Sequence, residues 1–127
     1  MQLTNRRVHL MGTVIDVSIY HNQPEPVLDQ VEALLHLYNK RFSANDDSSE
    51  LMQINKAAGI HPVKVHSELF ELISLGKWHS CQVGSHLNIA IGPLIQTWRI
   101  GFSDARLPLS EEIAPLLDVI NPNAIVL

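Results

Sequence analysis

The sequence is poor in the residues that cross-link chains, span membranes or hold nucleic acid. Cys81 is the only cysteine among 127 residues, so neither an internal disulfide nor a cysteine metal cluster can form. No apolar run approaches the length of a membrane span. Acidic residues outnumber lysine and arginine by 13 to 9, and this balance argues against nucleic acid as the main partner. The sequence therefore predicts a chain that has no membrane segment and does not have nucleic acid as its main partner.

The sequence also lacks any recognisable catalytic constellation. The seven histidines do not show the spacing of a zinc site. His79 and Cys81 are two positions apart on a predicted helix, which places them about 200° apart around its axis, so they do not face each other and a nucleophilic pair is not expected. The residues alone therefore assign no catalytic group and no metal ligand.

What is present is the composition of a folded domain. Apolar residues make up 46% of the chain and charged residues 17%, which is typical of a globular protein. The length suits one domain with a core of useful size. Basic residues near Met1 are not followed by an apolar segment, so no signal peptide is visible and a cytoplasmic location is expected. A sequence trimmed at its start, from an exported lipoprotein, would look the same.

Hydrophobic periodicity predicts an α+β fold. Alternating residues predict one strand from Arg7 to Tyr20, with Gly12 as a bulge at its entry. A helical stripe predicts a helix over about residues 26–40, packed on a mixed or antiparallel sheet. Further helices are expected over 49–58, after a capping box of Asp47 and Glu50, and from Ser67, as a mostly buried helix. Short strands are expected at 62–65 and 124–127, and a regular helix near 115–120.

The stretch from Gly84 to Phe102 predicts a short helix beginning at Gly92 and Pro93. Gly92 is expected as the N-cap, Pro93 as the first helical residue, and Gly101 as the end. Leu94, Ile95 and Trp98 are predicted to share one face, with Trp98 largely buried. The amides of Leu94 and Ile95 are candidates to hold a pyrophosphate oxygen. Without further information, the simpler interpretation is that Gly92-Pro93 only turns the chain and that Trp98 fills the core.

Three motifs in order resemble the ApbE family of FAD:protein FMN transferases. The central one is Asn-Ile-Ala-Ile-Gly-Pro-Leu-Ile-x-x-Trp-x-x-Gly, starting at Asn88. The second is Phe-Ser-Ala-Asn-Asp-Asp-Ser-Ser-Glu-Leu, starting at Phe42 and followed by Asn55. The third is Met11-Gly12-Thr13. Their order along the chain makes the combination far more specific than any single motif.

The resemblance implies a set of flavin-contacting residues. Met11 would lie beside bound flavin, where a thioether suits an aromatic ring. The second motif usually has threonine and then an aromatic residue, where this chain has Ala44 and Asn45; asparagine can bond a ring edge but cannot stack on it. The family often has aspartate at the position of Asn88. The complete set of cofactor-binding candidates is Met11, Ser43, Asn45, Asn88, Gly92, Pro93, Leu94 and Trp98.

The resemblance also implies an activity and a longer protein. The implied reaction is Mg²⁺-dependent transfer of FMN from FAD to a Ser or Thr hydroxyl of a target flavoprotein, with release of AMP. The chain would be the N-terminal portion of a T-fold-related architecture, supplying part of the FAD site, while the Mg²⁺ ligands lie beyond Leu127. Such a part is expected to be inactive alone, and it could pair as a homodimer through an exposed apolar edge. The alternatives are a non-catalytic FAD-binding module and a structural domain without a ligand.

Overall fold

The computed structural model describes residues 1–127, which divide into two compact units, Met1–Val65 and His66–Leu127. The first unit contains strands β1 (Gln2–Leu10) and β2 (Thr13–His21) and helices α1 (Pro24–Phe42) and α2 (Glu50–Ala57). The second contains α3 (Ser67–Ser80), α4 (Gly92–Trp98) and α5 (Ser110–Ile113), with 3₁₀ helices at Ala114–Asp118 and Pro122–Ala124. The predicted α+β class is confirmed. None of the helices has the length and apolar character needed to cross a membrane.

A β-hairpin replaces the single strand that was predicted over residues 7–20. Strands β1 and β2 pair antiparallel with Leu10 opposite Thr13, so Met11 and Gly12 form a two-residue turn. Both have positive φ, 56° and 70°, which is the backbone of a type I′ turn and matches the twist of the two strands. The single-strand prediction was wrong because Gly12 reverses the chain instead of forming a bulge within a strand.

The hairpin covers the apolar stripe of α1. Alternation along β2 leaves Ile15, Val17 and Ile19 more buried than their neighbours, as predicted. Val8 of β1 is buried, and Leu28 of α1 is 1% exposed. The other apolar residues of the stripe are partly buried except Leu34, which is exposed; the partly buried ones are Val27, Val31, Leu35 and Tyr38. This sheet-on-helix contact forms the core of the first unit.

Arg6 joins β1 to the outer side of α1. Its Nη2 donates to Glu25 at 2.6 Å, and its Nη1 donates to Asp29 at 2.6 Å and to Glu32 at 3.1 Å. Hydrogen bonding to Asp29 is the main cause that raises the pKa of Arg6 above its ordinary value. One guanidinium therefore bonds three carboxylates that α1 presents on successive turns.

Helix α2 is capped by Ser49, whereas a capping box of Asp47 and Glu50 was predicted. The Ser49 Oγ accepts from the Met52 amide at 3.0 Å and donates to the Ser43 carbonyl at 2.6 Å. This hydroxyl therefore bonds both the start of the preceding loop and the first turn of α2, and Ser49 is completely buried. The helix ends before Gly59, whose φ is +75°, in agreement with the prediction.

Helix α3 is far more exposed than its composition predicted. Leu69 is 1% exposed, but a row of large apolar side chains on the rest of the helix is about half exposed: Phe70, Leu72, Leu75 and Trp78. The expectation of a mostly buried helix was wrong because only one side of α3 meets other residues of its unit. The N-cap is His66, one residue before the predicted Ser67, and its Nδ1 accepts from the Glu68 amide at 3.2 Å.

Two predicted strands and one predicted helix also differ from the structure. Residues 62–65 and 124–127 are not strands, since neither segment has a paired neighbour to complete a ladder. Helix α5 begins at Ser110, and where a regular helix was predicted near residues 115–120 there is a 3₁₀ helix with Pro115 in its first turn. Proline is tolerated there because its missing N–H has no partner to lose.

Candidate functional site

Met11 occupies the tip of the hairpin in a strained conformation. A φ of 56° is unusual for a residue with a long side chain, and glycine or asparagine is preferred at this turn position. The Met11 side chain is 47% exposed. The turn therefore presents a flexible thioether to a ligand without burying it in the core of the first unit.

Ser43 and Asn45 lie in the loop that joins α1 to α2. The Ser43 Oγ accepts from the Asn45 amide at 3.2 Å, which closes a tight local turn. Asp46 accepts from the amide and the hydroxyl of Ser48 at 2.9 and 2.7 Å, and these hydrogen bonds lower the pKa of Asp46. Because Asn45 is exposed beside these bonded residues, its side chain is presented by a loop with a defined shape.

Helix α4 begins close to the predicted place, but its first amides are already bonded. The amides of Leu94 and Ile95 donate to the Ile91 carbonyl at 3.0 and 3.1 Å. Ile91 is the N-cap, one residue before the predicted Gly92. Because both amides already donate to Ile91, they do not favour the predicted contact with a pyrophosphate oxygen, which stays a prediction.

Gly92 and Pro93 leave open surface at the start of α4. A Cβ added to Gly92 would meet no atom within 4 Å, and Pro93 is exposed. A ligand can therefore approach the backbone here more closely than it can at a residue with a side chain. Of the three residues predicted to form the apolar face, Leu94 and Trp98 are partly buried and Ile95 is exposed, so only part of that face is covered within the second unit.

Helix α4 ends at Trp98 with Arg99 as its C-cap, whereas Gly101 was predicted to end it. Arg99 is left-handed with φ 53°, and its guanidinium lies 4.3 Å from the ring centroid of Phe102. Its Nε also donates to Asp104 at 3.1 and 3.2 Å, and this hydrogen bonding lowers the pKa of Asp104. These contacts offset the backbone strain at a residue that is not glycine.

Asn88 uses its whole carboxamide inside the protein. Nδ2 donates to the Ile120 carbonyl at 2.8 Å, and Oδ1 accepts from the Ala90 amide at 2.8 Å. The sequence placed Asn88 among the cofactor-binding candidates through the motif but gave no sign of Ile120, which is 32 residues away. Nothing in a local pattern identifies so distant a carbonyl.

The sequence matches known proteins over nearly its whole length. Residues 11–127 match the sequence model of the ApbE family. The chain belongs to the ApbE family. It is 36% identical over 118 residues to the FAD:protein FMN transferase of Klebsiella pneumoniae (strain 342), covering 93% of this chain and 37% of that protein. It is 32% identical over 103 residues to the FAD:protein FMN transferase of Treponema pallidum (strain Nichols), covering 78% and 28%.

Two crystal structures of ApbE proteins have the same fold. The ApbE protein of Thermotoga maritima MSB8 superposes with a TM-score of 0.85 at 20% identity, covering 96% of this chain and 40% of its own. The apo form of the flavinyl transferase ApbE of Pseudomonas stutzeri superposes with a TM-score of 0.80 at 19% identity, with the same coverage. The chain thus spans about a third of the length of the curated relatives it matches.

The eight ApbE-motif candidates divide between the two units. Met11, Ser43 and Asn45 belong to the first, and the other five belong to the second. A groove of about 370 Å³ in the second unit contains none of the eight; it is lined by Ser74, Lys77, Trp78, Cys81, Gln82, Asn123 and Leu127. No three side chains among His, Cys, Asp and Glu lie close enough to hold a metal ion. That the Mg²⁺ ligands lie outside this chain stays a prediction.

The candidates fit FAD in part. FAD combines two flat aromatic systems with an anionic pyrophosphate. The exposed thioether of Met11 suits a flat ring, and the open surface at Gly92 suits a closely approaching ligand. The bonded amides of Leu94 and Ile95 do not suit the pyrophosphate. The candidate residues of this chain therefore favour contact with the ring systems of FAD over contact with its phosphates.

Proposed function

We propose that this chain is the FAD-contacting part of an FAD:protein FMN transferase. The observation that carries the proposal is the 36% identity to a relative of that name over 93% of the chain. Met11, Ser43 and Asn45 in the first unit, and Gly92, Pro93, Leu94 and Trp98 in the second, are the proposed contacts. Asn88 belongs to the same motif, with the role argued below.

The proposed reaction is a phosphoryl transfer to a protein hydroxyl. The Ser or Thr oxygen of the target flavoprotein bonds to the phosphorus on the FMN side of FAD, and the pyrophosphate P–O bond breaks. AMP leaves, and the hydroxyl proton passes to a base. Such a reaction depends on positioning and on offsetting negative charge, for which Mg²⁺ is the usual metal. The residues of this chain would orient FAD, and ligands outside the chain would supply Mg²⁺.

FAD binding tests the proposal directly. Titrating the protein with FAD while following flavin fluorescence should give saturable binding. Gly92→Ala should weaken it by about tenfold, because the new methyl enters open surface that the ligand would use. Gln96→Ala, an exposed position on the same helix, is the matched control and should bind like the wild type. Binding that neither variant changes would remove α4 from the proposed site.

Transfer activity needs a separate assay. The protein is incubated with FAD, Mg²⁺ and a target flavoprotein, and covalent FMN on the target is measured by mass spectrometry. We expect FAD to bind but no FMN to be transferred, because a metal-organised pyrophosphate is required and no suitable ligand cluster lies in residues 1–127. A mass gain on the target would overturn this expectation. FAD binding without transfer, even when the rest of a full-length protein is present, would favour the non-catalytic module instead.

Oligomeric state and location stay predictions that simple measurements test. A homodimer through exposed apolar surface should sediment as a single species of doubled mass. A cytoplasmic location should appear on cell fractionation of the expressing organism. Neither outcome bears on whether FAD is the substrate.

A further inference from the structure

Hydrogen bonds hold the segment 88–90 both to itself and to a distant part of the second unit. The Asn88 carboxamide connects the Ala90 amide to the Ile120 carbonyl, each at 2.8 Å. The Asn88 carbonyl also accepts from the Ile91 amide at 3.3 Å. A single side chain therefore fixes the shape of the turn before α4 and connects it to a segment distant in sequence.

Helix α3 holds the same segment from another direction. The Ile89 amide donates to the Ser80 hydroxyl at 3.1 Å, and that hydroxyl donates to the Gly76 carbonyl at 2.6 Å. The Ile89 side chain lies so close to Gly76 that an added Cβ would be 2.8 Å from Ile89 Cγ2. Gly92 follows Ala90 by two residues, so displacement of this segment would displace the start of α4.

Only a group that both donates and accepts fits the position of Asn88. A carboxamide has an NH₂ for the Ile120 carbonyl and an oxygen for the Ala90 amide. A carboxylate would keep the second bond but would place a negative oxygen against the carbonyl of Ile120, and an unmade bond at a partly buried group is costly. A protonated carboxyl group has the right shape and can donate again.

We propose that Asn88 is a positioning residue, which fixes the Gly92–Pro93 start of α4 through Ile120 and Ala90 instead of contacting FAD. The proposal rests on the FAD site proposed above, and it assigns Asn88 a role that differs from the other motif residues. In this chain the asparagine supplies the donor to Ile120, which an aspartate would lack.

The test compares two Asn→Asp changes in the same unit. Asn88→Asp should lower the Tm by about 5–10 °C at pH 7 without ligand, since it loses a bond and gains a repulsion. The control is Asn121, whose side-chain oxygen accepts a hydrogen bond from the Asn123 amide at 3.0 Å. A carboxylate can accept the same bond, so Asn121→Asp should change the Tm by less than about 2 °C. Equal Tm values for the two variants would overturn the proposal.

The pH dependence separates this role from a general loss of packing. Burial against a carbonyl should raise the pKa of the new carboxyl above its unfolded value of about 3.9. The protonated form, which can donate, then dominates near about pH 4 and is lost as pH rises through the raised pKa. The Tm deficit of Asn88→Asp should therefore shrink by at least about half between pH 7 and pH 4. His86 and Asp118, the ionisable residues nearest in sequence to Asn88 and Ile120, are present in the wild type as well, so comparing the two proteins cancels their contribution.

A variant unfolded at pH 7 remains informative, because recovery of the native circular dichroism spectrum on acidification supports the proposal and continued unfolding overturns it.

FAD affinity at pH 7 completes the test. Asn88→Asp should raise the Kd at least about tenfold together with the Tm loss. A raised Kd with an unchanged Tm would indicate direct contact and overturn the proposal. If the wild type fails to bind FAD, the proposed function fails, whereas the Tm values still decide whether Asn88 fixes α4.

Discussion

Helices α1 and α3 have similar apolar content, but only α1 has its apolar stripe covered within its own unit. A hairpin lies on α1, so Leu28 is 1% exposed and most of its stripe is at least partly buried. On α3, Leu69 is equally buried, yet Leu75 is 53% and Trp78 is 59% exposed. Periodicity in a sequence identifies which side chains favour burial. It does not show whether another element is available to cover them.

The two helices also differ in what surrounds them. Helix α1 packs against a regular sheet and is connected to it by Arg6 and three carboxylates. Helix α3 packs against irregular segments, held by single polar anchors such as Lys77, whose Nζ donates to the Ile125 carbonyl at 2.5 Å. The first unit should therefore depend mainly on apolar burial, and the second should depend more on individual hydrogen bonds and close contacts.

The strongest test of this comparison truncates one leucine on each helix. Leu28→Ala should lower the free energy of unfolding by about 2–5 kcal/mol, because it leaves a cavity in the core. Leu75→Ala should cost less than about 1 kcal/mol, since its side chain is half exposed. Urea denaturation measures both. Leu69→Ala should resemble Leu28→Ala, and an equal cost for Leu75→Ala would mean that the outer side of α3 is covered in solution.

A smaller effect is expected where α3 does have close packing. Gly76→Ala should lower the free energy of unfolding by about 1–3 kcal/mol, because the new methyl would overlap Ile89 Cγ2. Helix propensity acts in the opposite direction, since alanine is favoured over glycine by about 1 kcal/mol. Combining the change with Ile89→Ala removes the overlapping atom, so the double variant should be more stable than the sum of the single changes predicts. Simple additivity would contradict the contact.

The N-cap of α2 in the first unit and the N-cap of α3 in the second unit offer a third comparison. Ser49→Ala should cost about 1–2 kcal/mol, because its buried hydroxyl bonds both Met52 and Ser43. His66→Ala, at the cap of α3, should cost less, since His66 is exposed and water can replace its bond. Thermal melts rank the two. Asp47→Ala is the control for the cap that the sequence suggested, and a loss larger than that of Ser49→Ala would restore Asp47 to that role.

The sequence predicted the elements of the first unit better than their connections. The helical stripe and the alternation of β2 both led to correct elements. The sequence suggests a bulge at Gly12, because a turn residue with positive φ cannot be distinguished from a bulge without knowing that residues 2–10 form the pairing strand. Ser49 and Asp47 are both good N-caps, and only the position of the Ser43 carbonyl decides between them.

The candidate site was predicted as a list of residues but not as an arrangement. The motifs located Gly92 and Pro93, and the structure places them at the start of α4 with open surface. The sequence could not show that Ile91 would accept from both Leu94 and Ile95, because an N-cap one residue earlier redirects those amides. The hydrogen bond from Asn88 to Ile120 could not be predicted from the sequence either, since it depends on how segments distant in sequence come together.

The smallest expected effect concerns ion pairs, where the second unit resembles the first. Arg106 donates to both oxygens of Glu112 at 2.8 and 2.6 Å, and the Leu109 amide adds a third bond at 2.8 Å. The bonds from Arg106 are the main cause that lowers the pKa of Glu112 from 4.5 to about 2. In the first unit, Arg7 likewise lowers the pKa of Asp16.

A lowered pKa fixes the sign of the pH dependence. The stabilisation by Glu112 is complete above its unfolded pKa of 4.5 and is lost as pH falls towards about 2. Carbon-13 NMR of the Glu112 carboxyl should therefore show a titration midpoint at about pH 2 in the wild type. Arg106→Leu should move the midpoint back towards 4.5, while Arg7→Leu should move that of Asp16 and leave Glu112 unchanged. A wild-type midpoint near 4.5 would mean that the pair is broken by water in solution, as exposed ion pairs often are.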